Sequence, residues 1–477
     1  MSDIDPKLVA EIVKNVMQQL EGRDGKTAAA PVSQSDGVDG VFDDMDAAIV
    51  ASVKAQQVWA ETPKEVKGKV IAALRVKMHE HADEFARRAV EETGMGRIED
   101  KIVKHHNAAD GTPGLEDLEV RSWTGDKGLV FEEYAPYGVI AAITPSTHPI
   151  PVLLNSIIIT IAPGNSVVFN VHPAGKKVSA YALAIFHRAI VENGGPANLI
   201  SMVKEPTLES VQTLFRHPKT ALIAATGGPM LVKAAFDSGK KVIAAGPGNP
   251  PVVVDETADL ADAAKYIIEG ASFDNNILCI AEKEVFVVDS VFDAFMKAMA
   301  DAGAVLLNDG QIRTLAEKAF SKNEKGQVAI SRDFIGKNAR VLAQAVGVSL
   351  SDDVRLLCGE TTFDNLFVQE EQMMPFMPVV RARHFDEALD MAVKAEHGFQ
   401  HTAMIHSNNL DHITRFTRAI DTSIVVANGS SLAGNGGYAG EGYFSHTIAS
   451  PTGEGVCTPR DFARVRRLAM YRRLRIA

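Results

Sequence analysis

The sequence predicts an α/β protein built on two doubly wound, mainly parallel sheets, and three observations lead there. The runs GVIAAITP (138–145), NSVVFNV (165–171), ALIAAT (221–226) and KVIAAG (241–246) are almost continuously apolar, as strands buried on both faces are. They alternate with helical segments such as GKKVSAYALAIFHRAIVEN and PMLVKAAFDSG, the pattern of parallel strands joined by crossover helices. Their carboxyl ends carry the turn chemistry TPSTHP, VHPAG, TGGPM and GPGNPP, and ligands of open α/β sheets bind at such ends. A further series from about 249, with PPVVVD, KEVFVVDSVFDAFMKAM and MPVVRA, predicts the second α/β domain.

Taken in chain order, residues 3–20 open with Asp5 as N-cap and Pro6 at the first helical position. Ile4, Leu8, Ile12, Val16 and Leu20 then form an apolar stripe, so an amphipathic helix is expected over 1–20. The Gly/Ala/Ser/Asp-rich stretch 21–41 reads as a flexible linker. A tethered helix with an unpartnered apolar face calls for another protein to bind it, or else docks back on its own domain or oligomer, and it lacks the charged n-region of a secretory signal. Residues 42–110 show helical periodicity, with His79, His81, His105 and His106 read as solvated. The most apolar stretch, IPVLLNSIIITIAP, is bounded by prolines and too short to span a bilayer, so a buried helix is expected.

With 477 residues, 46% of them hydrophobic and 23% charged, the chain falls in the soluble globular class and has room for two or three units. A net charge of −11 leaves no basic footprint for nucleic acid or an anionic membrane. The basic tail RVRRLAMYRRLRIA reads as an element with one solvated face. Three scattered cysteines, Cys279, Cys358 and Cys457, cannot build a disulfide framework or a four-ligand metal site, and they suit a reducing compartment. His397 and His401 have helical metal-ligand spacing, but Gly398 and the lack of a third ligand argue against a metal, and none is expected.

On local grounds Cys279 stays open between a buried packing residue and a nucleophile at an element boundary with free backbone amides. Thr226, Gly227, Gly228 and Met230 in TGGPM lead from a strand into a helix, where a phosphate could sit or where the turn is connection geometry only. GNGGYAG (434–440) is followed by no helical pattern and so is not a dinucleotide fingerprint.

In order along the chain, PYGVIAAITPSTHP, NSVVFNVHPAGKK, ATGGPMLVKAA, AAGPGNPPVVVD, GASFDNNILCIAEKEVFVV, EQMMPFMPVVRA, GFQHTAMIHS and PTGEG resemble the aldehyde dehydrogenase superfamily over residues 42–470. The resemblance is greatest to its CoA-acylating branch in bacterial microcompartments, the propionaldehyde and acetaldehyde dehydrogenases of propanediol and ethanolamine utilisation. It implies an aldehyde dehydrogenase-like fold, a homodimer or homotetramer, and an encapsulation role for residues 1–20, docking on shell or core proteins inside the compartment lumen. It also implies NAD, with NADP not excluded, and coenzyme A as second substrate.

Cys279 would then be the nucleophile, with Thr147 at the position of the oxyanion-holding asparagine and His401 a histidine typical of the branch. The cofactor would be met by Thr144, Pro145, His172, Pro173, Gly175, Thr226, Gly227, Gly228, Met230 and Gly246. Where hydrolytic relatives carry a water-activating glutamate this chain has Ala244, which implies that a thiol and not water releases the acyl group. The implied domains are a cofactor domain (42–248) with an oligomerisation hairpin near 122–136, a catalytic domain (249–447) and a C-terminal oligomerisation segment (448–477). Two other readings compete: a hydrolytic (semi)aldehyde dehydrogenase making a free acid, and a catalytically silent assembly protein of the compartment.

Overall fold

The computed structural model describes residues 38–322 and 328–474. The amphipathic helix expected over 1–20 and nearly all of the linker expected over 21–41 lie outside the described residues. The last residues of that linker are a correction: Val41–Phe42 form a short strand, β1, and Gly40 O accepts from Met202 N–H at 2.9 Å. A side chain at Gly40, whose φ is +82°, would sit 2.7 Å from Ile200 O. Three helices follow as periodicity predicts: α1 (Met45–Glu61), α2 (Lys64–Thr93) and α3 (Ile98–Gly111).

His105 on α3 is a second correction, being fully buried where a solvated histidine was expected. It donates Nδ1–H to Ala82 O (3.0 Å), and burial, helped by the charges of Lys104 and Lys101, pushes its pKa down to about 3. Its charged-looking sequence neighbours are themselves buried, because Lys101 and Lys104 face inward.

Strands β2 (Arg121–Gly125) and β3 (Gly128–Pro136) form the hairpin, and the chain then enters the first parallel sheet. Its members are β4 (Val139–Thr144), β5 (Ser166–Val171), β6 (Ile200–Val203), β7 (Thr220–Thr226) and β8 (Lys241–Ala245), in spatial order β1-β6-β5-β4-β7-β8. The helix α4 (Pro149–Ile161) is buried at every residue, as its composition requires, and α5 (Lys176–Glu192), α6 (Leu208–Arg216) and α7 (Pro229–Phe236) complete the crossovers. From β4 the chain builds outward one way through β5 and β6 and the other way through β7 and β8. The crevice at the carboxyl ends of β4 and β7 is therefore the switch point where such sheets hold ligands.

The second sheet starts with β9 (Pro251–Val254), followed by α8 (Leu260–Ser272), β10 (Glu284–Val288), α9 (Asp289–Asp301) and β11 (Val305–Leu306). After the small antiparallel pair β12 (Phe320–Lys322) and β13 (Val328–Ile330) come β14 (Leu357–Thr361), β15 (Phe376–Ala382), β16 (Thr402–His406) and β17 (Ile424–Ala427). The order β11-β14-β15-β10-β9-β16-β17 is parallel throughout. Separate apolar clusters cover the two faces of each sheet, the arrangement that lets parallel strands be apolar along their whole length.

After the two-residue strands β18 (Ile448–Ala449) and β19 (Gly455–Val456), the basic tail becomes β20 (Ala463–Tyr471), antiparallel to β3 of the hairpin. Arg466 and Arg467 reach Glu133 and Glu132 at 2.8 Å each, so the solvated basic face is matched by acids on β3. Among the described residues no helix is long and apolar enough to cross a membrane.

Candidate active site

Cys279 stands in a loop that is fastened from both sheets. The loop leaves α8 through Asp274, Asn275 and Asn276, whose φ values are +48°, +57° and +64°. Asp and Asn are the non-glycine residues that tolerate this left-handed region best. The side chains then pin the turn: Asn276 Nδ2 donates to Ala271 O (2.8 Å) and Glu282 O (2.9 Å), and Asn275 Nδ2 to Gly336 O (2.9 Å). Lys283, fully buried, donates to Asn276 O (2.9 Å), Leu278 O (3.1 Å) and Asn276 Oδ1.

Asp274 fastens the same turn to α3. Its carboxylate accepts from Arg97 N–H (2.8 Å), Lys101 Nζ (3.0 Å) and Lys104 Nζ, and its own N–H donates to Asp100 (2.8 Å). Lys104 also donates to His148 Nδ1 (2.8 Å), so His148 carries its proton on Nε2. Burial would push a lone carboxyl up, yet the two ammonium groups hold Asp274 below its ordinary value, while burial brings Lys104 down to about 8.

The Cys279 side chain is half-buried and reaches a cavity of about 560 Å³. Burial, reinforced by the charge of Glu371, pushes its thiol up to about 12, against the pull of Lys283 and of the N–H groups of Cys279 and Ile280. The element boundary alone therefore does not make a thiolate. A base does stand on the same cavity wall: Glu371, raised to about 7 by burial and tempered by Lys283 and by the Gly248 N–H. A second cavity, of about 250 Å³, is lined by Leu278 and Ile280, the neighbours of Cys279, and shares His446 with the first.

Most residues singled out from the sequence meet in the larger cavity, which opens at the carboxyl ends of β4, β7 and β8. Thr144, Pro145, Thr147, His172, Pro173, Thr226, Gly227, Gly228, Gly246 and Cys279 all line it. Three do not. Gly175 is buried, and a Cβ there would meet Pro149 at 3.2 Å; Met230, on the first turn of α7, points to solvent at 80% exposure. His401 is fully buried behind Gly248, whose Cα leaves room for neither a Cβ against the His401 ring (3.0 Å) nor one against Cys279 O (2.8 Å). Its Nδ1 meets Thr402 Oγ1 (2.9 Å), its Nε2 is unpartnered, and burial holds the ring neutral at a pKa of about 4.

Ala244 is buried on β8 and its N–H donates to Thr452 Oγ1 at 3.1 Å, so no titratable group occupies that position. Sequence reasoning missed Glu371 and Lys283. Glu371 was findable, because it opens the EQMMPFMPVVRA segment on which the resemblance partly rests. Lys283 was not, since a lysine beside EVFVV reads as a strand-end surface charge.

Two parallel sheets, with a cysteine between them on the wall of the switch-point cavity, define a class, and the sequence comparison names it. Residues 38–443 match the aldehyde dehydrogenase family, to which the chain belongs. It is 45% identical over 471 residues to acetaldehyde dehydrogenase (acetylating) EutE of Escherichia coli K12, covering 98% of this chain and 99% of that one. Among solved structures it is similar to a propionaldehyde dehydrogenase from the fucose utilisation microcompartment of Clostridium phytofermentans (TM-score 0.89, 44% identity, 92% of this chain and 100% of that one). It is equally similar in fold to Rhodopseudomonas palustris propionaldehyde dehydrogenase with bound CoA and an acylated cysteine (TM-score 0.89, 40% identity, 92% and 100% coverage).

Proposed function

We propose that this chain oxidises a short-chain aldehyde and transfers the acyl group to coenzyme A, through a thioester on Cys279. The observation that carries the reading is a reachable cysteine on a large cavity whose counterpart of the water-activating position is the buried, apolar Ala244. Relatives that acetylate or bind CoA, similar over nearly the whole chain, support the same reading.

NAD(P) supplies the hydride acceptor. The cavity suits it: Thr144 Oγ1 is buried there without a partner, and Gly228 opens the helix α7 with free space where a Cβ would stand. Pro145, Thr226, Gly227 and Gly246 complete the wall against which it would lie, with His172 and Pro173 at the end of β5.

In the reaction Cys279 gives its proton to the Glu371 carboxylate and its sulfur attacks the aldehyde carbonyl, forming the thiohemiacetal. The oxyanion takes hydrogen bonds from the Cys279 N–H and from the Thr147–His148 segment. Loss of hydride leaves an acyl thioester on Cys279. Glu371 then gives its proton up to solvent, and the freed carboxylate takes the proton of the CoA thiol. The CoA sulfur attacks the thioester and leaves as acyl-CoA, while the displaced Cys279 sulfur recovers a proton from Glu371. His401 is a positioning residue, holding Gly248 and with it the carbonyl of Cys279.

Because Glu371 is also a base that could serve water, the partition must be measured. NADH formation with a two- or three-carbon aldehyde is expected to depend on CoA and to yield acyl-CoA in equal amount. CoA-independent turnover to the free acid would overturn the assignment in favour of the hydrolytic reading.

Residues 1–20 are proposed to place the enzyme in a microcompartment lumen, supported by their amphipathic stripe and by the relative from such a compartment. Fused to a fluorescent reporter, they should concentrate it into puncta in shell-producing cells; diffuse fluorescence there would refute this. Residues 122–136 and 448–477 are proposed to mediate assembly into dimers or tetramers.

A further inference from the structure

The cavity of about 250 Å³ beside Cys279 has mostly apolar walls, among them Val103, Phe273, Leu432 and Phe444. An unsubstituted two- or three-carbon aldehyde needs nothing else. This cavity nevertheless carries three polar groups with unused bonding capacity. Asn435 is 6% exposed, and its Oδ1 accepts no hydrogen bond; His446 Nε2 is likewise buried and unpartnered. Lys104, 3% exposed, lines the same cavity and gives two of its three protons to Asp274 and His148.

Buried polar atoms are normally paired, so unpaired ones gathered on one small cavity ask for a ligand group that completes them. The charges do not select an anion. Lys104 is already opposed by Asp274, which also holds Lys101, and the exposed Glu269 stands on the same cavity. His446 is neutral, held there by burial and by the charge of Lys104. Its ring stacks on His148 at 5.7 Å and meets Phe444 edge-on at 4.8 Å, and its backbone N–H donates to Asn155, so the ring is fixed in place. What remains is an acceptor on Asn435 and donors in the third proton of Lys104 and, with the ring proton on Nε2, in His446. A hydroxyl group answers both.

We propose that this cavity holds the tail of a 2-hydroxyaldehyde, whose hydroxyl donates to Asn435 Oδ1 and accepts from His446 or Lys104. The proposal rests on the reading of Cys279 as the acylated nucleophile and narrows the aldehyde it serves. A site built around a substrate hydroxyl penalises the analogue that lacks it, because its own buried groups then stay unpaired.

The test compares kcat/KM for 2-hydroxypropanal and propanal with saturating CoA and nucleotide, in the full-length enzyme and in Asn435→Leu and His446→Phe. The wild type is expected to favour 2-hydroxypropanal by roughly 10-fold to 100-fold, and each variant to bring that ratio down at least about tenfold. A wild-type preference for propanal would overturn the proposal, as would variants that slow both aldehydes and keep the ratio. Since the readout is a ratio within one folded preparation, a partly unfolded variant still reports it. Formation of propanoyl-CoA without hydroxyl discrimination would remove this inference alone, whereas no acyl-CoA from either aldehyde would remove the underlying function.

Discussion

Cys279→Ala is expected to lower CoA-dependent aldehyde oxidation by roughly 10⁴-fold or more, the scale seen when a covalent nucleophile is deleted. The substitution removes one sulfur from a half-buried wall position and leaves the pinned turn before it intact, since none of those hydrogen bonds uses the thiol. Nucleotide binding, followed by fluorescence titration, should therefore be kept. Mass spectrometry after a short reaction in the absence of CoA should find the acyl mass on the peptide containing Cys279 in the wild type and on no peptide of the variant. Activity within tenfold of wild type would end the assignment, because Cys358 and Cys457 are fully buried and offer no substitute.

The second large effect is expected at Lys283. Its ammonium meets two carbonyls and one amide oxygen of the turn before Cys279, and it is the cation that holds down both Cys279 and Glu371. Lys283→Met keeps the length and removes the donors, leaving buried acceptors unpaired at about 1–3 kcal/mol each. We expect a loss of about 3 kcal/mol or more in denaturant unfolding, together with a change in the pH profile. In the wild type the rate should rise as pH passes the Glu371 value of about 7, since only the carboxylate accepts a proton. Without the neighbouring cation both the acid and the thiol shift upward, so the rising limb must move to higher pH. An unshifted limb in a folded variant would show that Glu371 is not the base. The stability sign runs the same way: a carboxyl raised in the folded state costs stability once pH exceeds its unfolded value near 4.5, a cost complete above about 7.

Much of this was legible in the chain itself. The four apolar runs became β4, β5, β7 and β8 because a strand covered on both faces must be apolar at every position, and the Pro-bounded IPVLLNSIIITI became a helix buried at every residue. What stayed hidden was the polar interior. Lys101, Lys104 and His105 look like a solvated helical face, and only the approach of Asp274, more than 160 residues later, makes that face an interior one. The electrostatics of Cys279 were hidden in part for the same reason, since its thiol answers to Glu371, more than 90 residues later, as well as to Lys283, whose burial its polar neighbours do not announce.

The antiparallel partnership of β3 with β20 bears on how the molecule is made. Arg466 finds Glu133 across 333 positions of sequence, so β3 leaves the ribosome long before its outer partner exists. At 5–20 residues per second that interval is on the order of 20–70 s. Through it the nascent chain carries the outer edge of Gly128–Pro136 open, paired only with β2 on the other side, until Ala463–Tyr471 has been made.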